Sequence, residues 1–341
     1  MLKSILNHYP LEYSGDIRQG ASGWNNTTYF IEGSLHRSVL RIYETHRDIE
    51  KIRFEHAVLQ ALNQLAMSFS VPLPIQTMTG ETMVQLEDGS GRYACMFEYI
   101  EGMRSEGESG RAAFSFGEAA GELLSCLAEV EPGVQPAYRP YYELPQSYPS
   151  CSREIVLKFC GQPPEPFKDL QESLSELGQA YTGMLQQLNG LGKLPQQLIH
   201  GDLNYSNLLI DSHDPAQVTA LLDFEFCTKD VRAMEPAVII SGLLGQGNDE
   251  GREAVRLFCR GFGGRIRLTP EEVEAIPVLM RLRQIDVFLH FMSRFLNGID
   301  GAEVLRKQVG YISSELRQLE RNEGWFAEAL MSDLHPKTSQ L

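Results

Sequence analysis

The stretch that most constrains how this chain folds lies between residues 198 and 226. An apolar run, Leu198-Ile199, enters a polar loop, His200-Gly201-Asp202-Leu203-Asn204-Tyr205-Ser206-Asn207, and a second apolar run, Leu208-Leu209-Ile210, leaves it. A third run, Leu221-Leu222, ends in Asp223-Phe224-Glu225-Phe226. Short apolar runs bounded by polar turns predict strands. One loop therefore presents an acid and an amide, and a following strand ends in a second acid.

Composition bounds what surrounds this stretch. The chain has 341 residues, about two domains by the length prior. Its 43% hydrophobic and 22% charged residues suffice for a real core. The formal charge of -15 argues against a nucleic-acid or anionic-membrane partner, both of which select basic surface. It is compatible with a cationic substrate. The six cysteines (Cys95, Cys126, Cys151, Cys160, Cys227, Cys259) lie far apart without a C-x-x-C, which reads as free buried thiols in a reducing cytosol. Met1 to Asp16 has one lysine and no long apolar core, so no signal peptide is expected. Val278 to Leu296, the most apolar helix candidate, is interrupted by Arg281, Arg283, Asp286 and Arg294, so no membrane span is expected. A cytoplasmic protein, monomer or homodimer, is the reading.

Along the chain, the first hundred residues read as strands with one helix. Thr27 to Glu32 and Ser38 to Tyr43 are β-type runs, and Asp48 to Leu65 repeats apolar residues at helical spacing. Glu81 to Leu86 and Arg92 to Tyr99 flank the turn Asp88-Gly89-Ser90-Gly91. Beyond the polar stretch Ser105 to Arg111, helical patterns dominate: Phe114 to Val130, Phe167 to Leu191 and Ala302 to Asn322. Pro132 to Pro149 is a proline- and tyrosine-rich loop. Thr269-Pro270-Glu271-Glu272 is a helix start with a capping box, and Pro277 is expected to kink that helix or delay its start.

An acid and an amide in one loop, with a second acid nearby, is what phosphoryl transfer requires. One carboxylate orients the attacking hydroxyl and accepts its proton, while an Asn and a second carboxylate hold Mg²⁺ against the phosphates. Asn207 follows Asp202 at the offset found in the kinase catalytic loop. His200-Gly201-Asp202 with Asn207 and Asp223 resembles the aminoglycoside phosphotransferase, choline kinase and homoserine kinase superfamily, and within it the homoserine-kinase-type bacterial branch. The resemblance implies an α+β, two-lobed protein-kinase-like fold, with a small antiparallel-sheet N-lobe carrying one helix and a larger, mainly helical C-lobe. Residues 1–97 then form the nucleotide-binding lobe and 98–104 the hinge. Residues 105–333 form the lobe with catalytic loop, metal site and substrate pocket, and 334–341 a tail. It implies ATP and Mg²⁺ as cofactors, Asp202 as catalytic base, Asn207 and Asp223 as metal ligands, and His200 as a brace of the loop. Arg232-Ala233-Met234-Glu235 is similar to the segment that follows the metal aspartate in choline kinases, with Glu235 where Asp is commoner.

The N-terminal region supplies further parts. Gly20, Ser22, Gly23 and Asn26 lie in a turn-rich loop whose backbone N–H groups and polar side chains suit phosphate oxygens, although most such loops are only turns. Arg41 stands on an apolar strand where kinases carry a Lys that bridges phosphates to a helix Glu, and an Arg fork is not a neutral replacement. Its expected partner is Glu55, with Glu50 as competitor. Cys95-Met96-Phe97-Glu98-Tyr99-Ile100-Glu101-Gly102 ends the last N-terminal strand and begins the crossing to the hinge; by resemblance, backbone groups of Glu98 and Ile100 would bind adenine and Met96 would line the pocket.

The acceptor is read as a hydroxylated small molecule, of amino alcohol, sugar or aminoglycoside type, with homoserine or choline favoured. Its pocket is expected between the Asp202 loop and late helices bearing Asp286, His290, Arg294 and Trp325, with Tyr138, Tyr141, Tyr142 and Tyr148 as stacking candidates. A helix charge is usually solvated, a buried His or Trp is usually core, and a Pro/Tyr loop is just as often packing filler. Three alternatives stay open: a protein Ser/Thr kinase, a nucleotide-binding pseudokinase scaffold, and a metal hydrolase. No Ala-Pro-Glu arrangement follows Asp223, which disfavours the first. Asp202, Asn207 and Asp223 are intact, which disfavours the second. The remaining histidines form no cluster at ligand spacing, which disfavours the third.

Overall fold

Alternating apolar residues dominate the first hundred positions and helical periods the rest, and the architecture follows that division. The computed structural model describes residues 1–20, 26–44, 48–105, 110–245 and 247–334. Ser22 and Gly23, most of the polar 105–111 stretch and nearly all of the 334–341 tail lie outside the described residues.

In chain order, α1 (Leu2–Leu6), β1 (Gly15–Gln19), β2 (Asn26–Gly33), β3 (Arg37–Tyr43) and α2 (Ile49–Leu62) come first. They are followed by β4 (Val84–Gln85), β5 (Tyr93–Glu98) and β6 (Met103–Arg104). Helices α3 (Ala113–Glu129), α4 (Leu144–Ser147), α5 (Arg153–Gly161) and α6 (Gln171–Leu191) precede the short strands β7 (Gln196–Ile199), β8 (Leu208–Ile210), β9 (Val218–Leu221) and β10 (Thr228–Val231). Helices α7 (Met234–Leu244), α8 (Asp249–Arg265), α9 (Pro270–Leu296), α10 (Ala302–Arg321) and α11 (Glu323–Leu334) complete the chain.

The chain divides into two compact units. One comprises Met1–Ser105, Glu129–Ala137 and Ser206–Phe226, the other Glu106–Ala128, Tyr138–Tyr205 and Cys227–Leu341. The β8–β9 hairpin clusters with the N-terminal strands. β6 pairs with β8 through Met103↔Ile210, and Ser70 bridges Ala220. A two-stranded hairpin is marginal by itself and satisfies its edge groups by adding such partners.

In the first unit five antiparallel strands run in the order β1-β2-β3-β5-β4. Strand side chains alternate between faces. Leu40, Ile42, Ala94 and Met96 form one face, buried with Ile5, Leu6 and Tyr9 at the N-terminus. Arg41, Tyr43, Cys95 and Phe97 occupy the other, which faces α2. That helix starts at Asp48, whose carboxylate accepts the Glu50 N–H at 3.0 Å.

In the second unit α9 packs against α6, α7, α10 and α11. It starts at Thr269 with both halves of the capping box formed, and it continues through Pro277 rather than starting after it. Helices α3 and α8 approach backbone to backbone at a glycine pair. A Cβ on Gly117 would lie 2.1 Å from the Phe258 carbonyl oxygen, and one on Gly261 2.1 Å from that of Phe114. Helix α7 has almost every residue buried, which leaves no polar face for a periodic pattern to reveal. All six cysteines are free, five of them buried. Among the described residues no helix is long and apolar enough to cross a membrane.

Candidate active site

In the first unit, one cation organises a set of carboxylates. Arg41, on the α2-facing side of β3, lies 3.0 Å from Glu55 and 3.4 Å from Asp223. The Tyr43 hydroxyl donates to the other Glu55 oxygen at 2.8 Å. Glu50 instead meets Arg53 on the exposed side of α2. Burial would lower the Arg41 pKa, but Asp223 and Glu55 hold it well above the usual arginine value. Burial raises the Glu55 pKa against the pull of Arg41. It also pushes His56 down to about 3, so that ring is neutral at physiological pH.

The β8–β9 pairing delivers two candidate metal ligands together. Leu208 pairs with Leu221, and the Asn207 carbonyl accepts the Leu222 N–H at 2.8 Å, one residue before Asp223. Asp223 has φ +71°, the one non-glycine residue with positive φ among those described. That conformation costs an L-residue on the order of 1 kcal/mol and recurs where function demands an aimed side chain. Its Oδ1 is buried without a hydrogen bond. A buried, unbonded carboxylate oxygen next to a buried Asn suits a hard cation that takes oxygen ligands and completes its shell with phosphates. Arg41 approaches the same oxygen at 3.4 Å.

Asn26 is buried and its amide donates to Glu225 at 2.7 Å, so it is engaged with a carboxylate rather than presented as a free donor. Gly20 donates to the Thr28 carbonyl, and a Cβ there would meet the Phe30 ring at 2.8 Å. Met96 is fully buried in the core on the face opposite Arg41. The strand residue on the Arg41 face is Phe97, whose ring centroid lies 5.2 Å from the guanidinium carbon. Strand alternation from Arg41↔Cys95 would have found it. Glu98 donates its N–H to the Leu73 carbonyl at 3.0 Å. Glu98 and Ile100 line a cavity of about 350 Å³ with Asn63, Met67 and Phe69.

In the second unit the loop bearing Asp202 is clamped from two sides. Glu235, at the start of α7, accepts the backbone N–H of His200 at 2.6 Å and of Gly201 at 3.3 Å. His200 is fully buried and its Nδ1 accepts the Asp202 N–H at 3.3 Å. Gly201 has φ +81°, a conformation natural to glycine. The Tyr141 hydroxyl donates to the Gly201 carbonyl at 2.7 Å.

Asp202 itself forms an ion pair with Arg283 of α9. Arg283 also donates to the Tyr141 hydroxyl at 2.9 Å and lies 3.7 Å from Asp286. The Tyr148 hydroxyl donates to Asp286 at 2.9 Å. Burial pushes Asp286 up to about 6 and Asp230 and Glu235 up to about 7. Of the late-helix residues singled out from the sequence, Asp286 joins this cluster. Arg294 pairs with Asp300, and Trp325 lies beside Arg252 and Arg256. Arg283 was visible in the sequence only as a charge interrupting an apolar helix, and its role depends on a partner eighty-one residues away.

Comparison with known proteins identifies the family and the fold. A family model described as the phosphotransferase enzyme family matches residues 16–273. The chain belongs to this family. It is accordingly a small-molecule phosphotransferase. Among its relatives is the homoserine kinase of Zymomonas mobilis, 23% identical over 286 residues, covering 82% of each chain. The homoserine kinase of Brucella ovis is 24% identical over 309 residues, covering 90% of this chain and 87% of its own. A microcompartment-associated aminopropanol kinase superposes with TM-score 0.72 at 19% identity, covering 95% of this chain and 97% of its own. An amicoumacin kinase, solved in complex with AMP-PNP and Ca²⁺, gives 0.66 at 16% identity, covering 92% and 91%. These likenesses establish a protein-kinase-like fold for the phosphotransferase.

Proposed function

We propose that this phosphotransferase moves the γ-phosphoryl of ATP to a hydroxyl of a small amino-bearing acceptor, of the homoserine or choline type, in the cytoplasm. The observation that carries the reading is Arg41 held between Glu55 and Asp223, with Asp223 strained and one of its oxygens unbonded. That is the ion pair and metal aspartate that phosphoryl transfer from a nucleotide uses.

Asp202, held by the loop that Glu235 ties down, orients the acceptor hydroxyl and takes its proton. The acceptor oxygen forms a bond to the γ-phosphorus as the bond to the β-bridging oxygen breaks, and ADP leaves with that electron pair. Arg41 neutralises charge on the nucleotide phosphates. Bound Mg²⁺, taken by Asp223 and Asn207 together with phosphate oxygens, would supply further neutralisation of that charge. With the Glu98 N–H committed to Leu73, adenine recognition falls to the Glu98 carbonyl and the Ile100 backbone.

A coupled ADP-release assay with Mg·ATP and a panel of amino alcohols, hydroxy amino acids and aminoglycosides tests the proposal. Asp202→Asn is expected to lower turnover by about 10²–10⁴ while nucleotide binding survives. Asp223→Ala is expected to weaken Mg·ATP binding itself. Undiminished turnover in Asp202→Asn, or unchanged Mg·ATP affinity in Asp223→Ala, would remove those roles.

A further inference from the structure

We propose that Arg283 reads a carboxylate on the acceptor, and that its ion pair with Asp202 exchanges for that carboxylate when the acceptor binds. The preferred acceptor class is then a hydroxylated α-amino acid rather than an amino alcohol or an aminoglycoside. This rests on the kinase reading above and names the acceptor class of that same site.

A general base needs its carboxylate directed at the acceptor hydroxyl, and a guanidinium bound to that carboxylate favours the anion without a proton, which makes it a poorer base. Yet Arg283 is paired with Asp202, on a helix far away in sequence. A permanent pair would oppose the step that Asp202 performs. A pair that exchanges for a substrate anion would not.

The surroundings of Arg283 fit such an exchange. Its side chain keeps 22% of its surface accessible, so it is not sealed into the core. The Tyr141 hydroxyl anchors Nη1 at 2.9 Å and is itself fixed on the Gly201 carbonyl, so the guanidinium keeps a hold when Asp202 departs. The planar fork of Arg is matched to a carboxylate as a single ammonium is not. Asp286, 3.7 Å from Arg283 and oriented by the Tyr148 hydroxyl, supplies an anion beside that cation. One cation next to one anion is the arrangement that meets the carboxylate and ammonium of a zwitterion. An amino alcohol would satisfy Asp286 and leave Arg283 on the base.

The test uses two acceptors that differ by one carboxylate, L-homoserine and 3-amino-1-propanol, with the full chain and Mg·ATP. The wild type is expected to prefer homoserine in kcat/KM by roughly 100-fold or more, since a site built for a charged group rejects the analogue lacking it. In Arg283→Gln both acceptors lose rate, but homoserine is expected to lose roughly 100-fold more, so that the preference collapses. Arg283→Lys, which keeps the charge and guards against a folding defect, is expected to restore part of the homoserine preference. Thermal melts report whether each variant folds. Equal losses for both acceptors would make Arg283 a positioning residue for Asp202 and overturn the proposal. So would a wild type that binds, by calorimetry with Mg·ADP, neither homoserine nor any other hydroxy amino acid. In that second case the kinase reading stands or falls separately, on Mg·ATP binding and on the Asp202→Asn comparison with other acceptors.

Discussion

The carboxylate of Glu235 accepts the backbone N–H of His200 at 2.6 Å, tying the first turn of a buried helix to the loop that carries Asp202. The same oxygen takes the Gly201 N–H, while the other is buried without a hydrogen bond. Glu235→Ala strands two buried backbone donors, at about 1–3 kcal/mol each. The expected result is a lower melting temperature together with a fall in turnover, because Asp202 loses its fixed approach. A variant that melts like the wild type would show that the clamp contributes nothing.

Stability should fall as the solution becomes more alkaline. Burial raises Asp230 and Glu235 to about 7 and Asp286 to about 6, all above the range of an unfolded chain. Between the unfolded and folded values the native chain holds protons that the unfolded chain has released. This contribution is complete below about pH 4 and is lost as pH rises through 6–7. The melting temperature is expected to decrease steadily from pH 5 to pH 8. Glu235→Gln, a neutral isostere, should flatten that slope. A melting temperature that rises over this interval would contradict the assignment.

Arg41 is the counter-charge for two carboxylates, and Glu55 is almost wholly buried. Arg41→Met leaves a buried anion unpaired, at about 3–5 kcal/mol. Arg41→Lys should lie between, since one ammonium replaces a fork that reaches both acids. Chemical denaturation of the three proteins checks the order, and an Arg41→Met midpoint equal to that of the wild type would sink it.

The α3–α8 crossing tolerates no side chain at its glycines. Gly117→Ala places a methyl 2.1 Å from the Phe258 carbonyl oxygen, where the obstacle is backbone and cannot rotate away. A loss of about 1–3 kcal/mol or more is expected. Gly183→Ala, where nothing lies near the new Cβ, serves as the control and should be neutral or slightly stabilising.

Local rules carried much of this protein. The apolar runs around His200-Gly201-Asp202, the Thr269 capping box and the helical period from Asp48 are properties of neighbouring residues, and their elements formed within a few residues of expectation. The short helix at Leu2–Leu6 and the all-round apolar α7 lack such a signature and were missed. Pairings across sequence separations were decided by tertiary packing alone. Strand register put Phe97, not Met96, on the face of Arg41, and the need of a two-stranded hairpin for partners drew residues 206–226 into the first unit. The pairing of Asp202 with Arg283 is of the same kind. Sequence lists both charges, but only the folded chain removes enough water between them for one to answer the other.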